Sequence, residues 1–356
     1  MSPHADHSGG SHDPLRNLGG ASIRRGGFFR KSGENFAKHR ADPCWHGSWT
    51  LAARVSAALR LTVLLSFMLG GRAFAQDLEP RAYSANPVGT NFLLAGYGYT
   101  WGDVALDPSL PLSDVSAKIH TGILGYSRSF GLLGRQASAA ALLPIFSGKI
   151  DGLVVGEARS VTRDGLGDPR LRFAVNLLGG AALSPAEFAK RERTTTLGTS
   201  LTVVVPLGEY DSEKLVNIGS NRWAFKPELG VSHPFGPFSL DLYGGAWVFT
   251  ENGDFFNDQK REQAPLYTTQ IHGSYTILPR LWVAADGTFY EGGRTTVDGK
   301  RSDDRQENSR VGVTLALPLG GHESLKLAWS RGVTTRNGGD FDSVAIVFQL
   351  FWFDRP

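Results

Sequence analysis

Cysteine occurs once in the 356 residues, at Cys44, so no intrachain disulfide can form and no cysteine-based metal cluster is available. A long apolar run is missing as well. The one strongly apolar stretch, Leu61 to Gly70, falls well short of the ~20 residues that a spanning helix needs. With 41% hydrophobic residues and a mean hydropathy of -0.17, the chain is not a bundle of membrane helices. Charge of one sign is also lacking: 37 Lys+Arg stand against 34 Asp+Glu. That balance excludes the strongly basic surface a nucleic-acid partner needs. What the chain has in plenty is glycine, 44 residues, which disfavours long helices and suits curved strands and tight turns.

The short apolar stretch has the flanks of a signal peptide. Arg54 and Arg60 supply the positive side, Leu61 to Leu69 the apolar centre, and Ala73-Phe74-Ala75 a small-x-small cleavage pattern ahead of Gln76. A short buried helix is the alternative reading. Residues 51–75 are expected to be a cleaved signal peptide. Residues 1–50, Gly-, His- and Arg-rich without periodicity, read as a disordered leader or an over-extended start. His4, His7 and His12 belong to that leader rather than to a metal tract. Cleavage after Ala75 leaves 281 residues and removes ten basic and four acidic side chains, so 27 face 30 and the net charge of +3 becomes −3. No thiol remains at the junction for a lipid anchor, and no metal or cofactor site is expected.

From Asn91 onward the pattern has period two. In Leu281–Tyr290, the side chains of Leu281, Val283, Ala285, Gly287 and Phe289 share one face, and Trp282, Asp286, Thr288 and Tyr290 take the other. Segments 238–250, 310–317 and 323–331 read the same way, so each strand separates two environments. The predicted strands are 91–103, 117–130, 135–147, 166–178, 194–207, 223–235, 238–250, 266–277, 281–291, 308–317, 323–331 and 341–353. At about ten to fourteen residues they are long for soluble strands and suited to crossing a bilayer at a tilt.

The connections sort by length. Long ones (104–116, 148–165, 208–222, 251–265, 292–307, 332–340) alternate with short ones at 131–134, 236–237, 278–280 and 318–322. The exception, 179–193, is expected to hold a short helix capped by Ser184 with Pro185 in its first turn. Long loops on one side and tight turns on the other predict an all-β, transmembrane, antiparallel up-and-down β-barrel of about 12 strands over 91–356. Residues 76–90 then form a periplasmic N-terminal segment. Trp101, Trp223, Trp247, Trp282, Trp329 and Trp352 fall near strand ends, as headgroup girdles require. The location implied is the bacterial outer membrane, with lipid and lipopolysaccharide around the wall. The aromatic end of the last strand, Val344–Phe353, suits recognition by the outer-membrane assembly machinery.

Three motifs carry a family resemblance: Leu78-Glu-Pro-Arg-Ala-Tyr83 with Pro87-Val-Gly-Thr-Asn-Phe92, Gly165-Leu-Gly-Asp-Pro-Arg-Leu171, and Leu183-Ser-Pro-Ala-Glu-Phe188. In these the sequence resembles the outer-membrane transporter family associated with meta-pathway phenol degradation, over essentially the whole chain after residue 75. The resemblance implies a β-barrel that moves organic compounds. It supplies no catalytic residues.

If the Leu and Val faces meet lipid, the opposite faces line the lumen. These registers place Lys118, His120, Arg128, Arg170, Arg172, Lys226, Glu228, Asp241, His272, Asp286, Arg310 and Lys326 inside, together with Gln349 and the rings of Tyr97, Tyr243 and Tyr290. Lys or Arg facing lipid near the midplane costs roughly 2–4 kcal/mol. The charges either neutralise one another or bias a pore towards anions. A one-residue slip would turn a strand inside out. Acidic loop residues Asp254, Asp258, Asp303 and Asp304 read as solvated loops. The expected function is a channel or transporter for small organic solutes, aromatic ones included, working by passive or facilitated diffusion. The alternatives are a hydrolase of the outer-membrane phospholipase type, suggested by His272-Gly-Ser274, and a closed structural barrel. The enzyme reading is set aside because the pair is placed inside the lumen, away from lipid.

Overall fold

The structure, a computed structural model, describes residues 78–103, 112–337 and 340–354. The expected leader (1–50) and the expected signal peptide (51–75) lie outside the described residues. The wall is built from β1 (Thr90–Asp103), β2 (Leu112–Leu132), β3 (Arg135–Val154), β4 (Glu157–Leu166), β5 (Arg170–Leu178), β6 (Thr196–Val204), β7 (Ala224–Phe235), β8 (Phe238–Phe249), β11 (Leu266–Leu278), β12 (Leu281–Gly292), β15 (Gln306–Pro318), β16 (Glu323–Thr335) and β17 (Asp340–Phe353). Neighbouring strands run antiparallel, and β1 pairs with both β2 and β17, which closes the sheet. Of these 13 segments, β4 and β5 pair with successive stretches of β3, so the barrel has twelve wall positions. Closure leaves no open edge around the barrel, as hydrocarbon requires.

The polarity of the wall is that of a globular protein turned inside out. Leu93, Leu124, Phe173, Leu229, Leu240, Leu242, Ile271 and Phe348 are exposed outward, while Lys226, Glu228, Asp241, His272, Asp286 and Arg310 are buried. Among the described residues the clustered apolar core amounts to Trp282, Ala284 and Ala316. An apolar band of this extent is costly in water, at ~25 cal/mol per Å², and costs nothing against lipid. Aromatic pairs edge the band: Tyr99–Trp101 and Trp223–Phe225 at the loop end, Tyr126–Trp352 and Phe238–Tyr275 at the turn end.

The turn end is tight because its residues accept positive φ. Leu133 and Gly134 both do so between β2 and β3, the twist-matched two-residue hairpin turn. The expected helix forms as α1 (Pro185–Phe188), with the Ser184–Glu187 capping box and Pro185 at its start.

Three expectations change. Residues 148–165 are a hairpin, β3 continuing into β4 around Val155–Gly156, rather than a loop. Beyond the bilayer neither face needs to be apolar, so the two-residue signal fades. Loops 251–265 and 292–307 contribute β9 (Asn252–Phe255), β10 (Gln259–Gln263), β13 (Thr295–Val297) and β14 (Lys300–Arg301), a second small sheet. Of the segment expected in the periplasm, Arg81, Ala82 and Tyr83 instead reach into the barrel: Tyr83 is 2% exposed and held by β6 and β7.

Candidate functional site in the barrel lumen

The N-terminal segment binds one side of the lumen through hydrogen bonds. The Arg81 amide donates to Asp241 (3.0 Å), and its guanidinium donates to the hydroxyls of Ser274 (3.0 Å) and Thr276 (2.8 Å). The Ala82 amide donates to the Tyr243 hydroxyl (3.1 Å). The Tyr83 hydroxyl donates to Glu228 Oε1 (3.0 Å) and lies 2.9 Å from Ser200 Oγ. Its ring meets Tyr243 edge-on and carries the Arg172 guanidinium. Burial, then the neighbouring charge of Glu228, pushes the Tyr83 phenol well above its ordinary range, so it remains a donor.

Behind this segment the charges are paired. Lys226 bridges to Glu228 at 2.7 Å, and His272 Nδ1 lies 2.7 Å from Asp286, which also accepts from Thr314 (2.9 Å). Desolvated charges need such partners to persist in an interior. These residues come from β7, β11, β12 and β15, where the alternation is cleanest: every second residue of Leu266–Ser274 and of Trp282–Tyr290 is buried.

The opposite side of the lumen is apolar. On β1, β2, β3 and β17 the inward positions include Leu94, Ile119, Ile123, Leu142, Phe146 and Val347, all half-buried. Gly96 and Gly125 let them meet: a Cβ at Gly96 would press on Val347 and Ile123, and one at Gly125 on Leu142 and Leu94. Among the described residues, Arg81, Ala82 and Tyr83 donate to β7, β8 and β11 and meet Ser200 of β6, whereas the segment touches β2 only near the rim, where Pro87 and Gly89 bond Ser129.

A cavity lies at each end. At the loop end, 330 Å³ is lined by Phe146, Arg170, Arg222, Trp247, Phe249 and Tyr290 among others. At the turn end, 710 Å³ opens beneath the N-terminal segment. Tyr83, Asp241, Tyr243 and His272 are buried and line neither cavity.

The sequence-derived residues therefore divide. Arg172, Lys226, Glu228, Asp241, His272, Asp286, Arg310 and Lys326 point inward, and Arg170 lines the loop-end cavity. Lys118, His120 and Arg128 point outward, as does Tyr97. This corrects the register of β2, whose lumen face (Val115, Ala117, Ile119, Ile123) is the more apolar of the two because that wall is apolar inside. The outward charges sit near strand ends, where exposure to lipid is cheapest. There Arg128 pairs with Asp354 at 2.6 Å and His120 lies 2.6 Å from the Tyr97 hydroxyl. Arg81 and Tyr83 escaped the reading as site residues, although they stand in the first family motif. The second motif is the β4–β5 bend, where Asp168 accepts from the amides of Gly208 and Ser220 (2.8 Å each). The third is α1.

Residues 97–348 match the model of the family described as "Putative MetA-pathway of phenol degradation". The chain belongs to that family. Among solved structures, this phenol-degradation family member is similar to an outer membrane channel from Pseudomonas putida F1, with 23% identity and a TM-score of 0.66 over 78% of this chain and 100% of that one. It is also matched by the transport unit of the autotransporter AIDA-I from Escherichia coli, at 11% identity and TM-score 0.43 over 85% of this chain and 98% of that one. No curated protein matches its sequence. What the likeness to the Pseudomonas putida F1 channel shows is a shared fold, the closed antiparallel β-barrel.

Proposed function

We propose that this barrel is a channel for passive or facilitated passage of small organic solutes, aromatic ones included, across the outer membrane. The observation that carries the reading is the two-sided lumen. One wall is charged and hydrogen-bonded to Arg81, Ala82 and Tyr83, and the facing wall presents Leu94, Ile123, Leu142 and Val347 to the lumen and is apolar. A lane of this kind lets an apolar ring slide without displacing the buried ion pairs. A purely structural barrel has no need of a cavity at each mouth. The phospholipase alternative needs a base at its nucleophile. Ser274 instead accepts from Arg81, and His272 Nε2 has no hydrogen-bond partner among the described residues, so they form no such pair. The surrounding lipid and lipopolysaccharide would contact the outward apolar band, and the assembly machinery would read Phe351–Phe353.

Planar-bilayer recording on protein purified from outer membranes tests the channel. Brief, salt-proportional steps are expected from a pore that its own N-terminal segment narrows. Silence from protein shown by gel heat-modifiability to be folded, persisting after the segment is dislodged, would sink the reading.

A further inference from the structure

The turn-end cavity carries a charge pattern unlike the rest of the lumen. Its lining includes Arg81, Arg191, Arg193, Arg280 and Lys326 and, among the described residues, no aspartate or glutamate. The four guanidinium groups are held by neutral acceptors. Arg193 donates to the Gly236 carbonyl and the Ser239 hydroxyl, and Arg280 to the carbonyls of Gly320, Gly321 and Glu323. Arg191 donates to the Ala85 carbonyl, and Arg81 to the two hydroxyls already described. Lys326 makes no hydrogen bond or ion pair among the described residues. Its ammonium stands 5.9 Å from the centroid of the Trp282 ring, over which Arg81 also lies at 4.5 Å. The carboxylate whose charge reaches Lys326 is Glu79, which is exposed and outside the lining.

Cations held this way attract an anion into a half-dry site far more strongly than in water. Burial foremost, then the like charge of Arg193, pushes the Arg81 guanidinium down to about 10 against the opposing pull of Asp241. The cavity also offers ring faces, with Trp282, Phe188, Phe351 and Phe353 among its lining, and 710 Å³ is ample for a small molecule. An inorganic anion would leave those faces unused, and a neutral ring would leave the cations uncompensated.

We propose that this vestibule binds aromatic carboxylates, with the carboxylate among Lys326, Arg81 and Arg193 and the ring against Trp282 and Phe351. The proposal rests on the channel reading and adds the charge of the solute and the end of the barrel that holds it.

The test is calorimetric titration of the purified full-length protein with benzoate, benzyl alcohol and chloride. Benzoate is expected to bind at least about tenfold more tightly than either, the scale of a partly buried charge-assisted contact. Lys326→Met, which keeps the volume over Trp282, is expected to remove most of that preference, and Arg193→Gln to weaken it independently. Equal affinity for benzoate and benzyl alcohol, competition by chloride at equal concentration, or no effect of either variant would overturn the proposal. Bilayer recordings keep the two readings apart. Conductance without benzoate binding or block would remove the anion site and leave the channel. Benzoate binding to a barrel that never conducts would do the reverse.

Discussion

Tyr83 lies over two glycines of the wall, Gly198 on β6 and Gly230 on β7, and a Cβ at either would overlap its ring. The absence of two side chains is thus what seats the N-terminal segment. Gly230→Val should expel the ring while leaving β7 intact, since a β-branched residue suits an extended strand. The expected result is a folded, heat-modifiable barrel with larger and steadier bilayer conductance. Unchanged conductance would mean that the ring does not hold the segment. At Asp286 the logic is stability. Its carboxylate serves both His272 and Thr314 in a buried setting. Asp286→Ala should therefore cost about 1–3 kcal/mol for each partner left unsatisfied, read as a lowered midpoint of urea unfolding in detergent. A midpoint that stays put would show that water replaces the carboxylate.

Between residues and barrel stand the hairpins, and they fix which end faces the cell exterior. The Val155–Gly156 turn of the β3–β4 hairpin projects at the loop end, and Leu133–Gly134 joins β2 to β3 at the opposite end. An epitope inserted after Val155 should be labelled on intact cells, and one inserted after Leu133 only after the outer membrane is broken. The reverse pattern would invert the topology. Most strands were readable in the sequence because lipid on one side and charge on the other enforce period two. Segment 281–291 is one example, seen as Leu281–Gly292. β2 was readable as a strand but not in its facing, because Ile119 and Ile123 line an apolar inner wall while Leu124 and Tyr126 meet lipid. With both faces apolar, alternation cannot tell inside from outside. The β4 hairpin was hidden for the opposite reason: outside the membrane both its faces are polar.

For the molecule as a whole, the decisive feature is a segment with no period at all. Leu78–Gly89 has the composition of a linker, and complementary groups far off in sequence, Ser200, Glu228, Asp241 and Thr276 among them, give it a place. No local pattern could reveal that, whereas the charges it covers were visible as isolated polar residues in apolar strands. The wall itself does not depend on the segment. β1 meets β17 from Thr90↔Phe353 to Asp103↔Asp340, and this seam starts after the segment ends. Deleting residues 79–86 should therefore leave a folded barrel in which water solvates Asp241, Glu228 and Arg172. The lumen should then conduct in steady, salt-proportional steps larger than those of the intact protein, matching Gly230→Val. If the deletion variant folds and conducts no better, the constriction lies instead at the loop end, where β9, β10, β13 and β14 form their own sheet. In that case the glycine variant must fail with it, because both act only by emptying the same space.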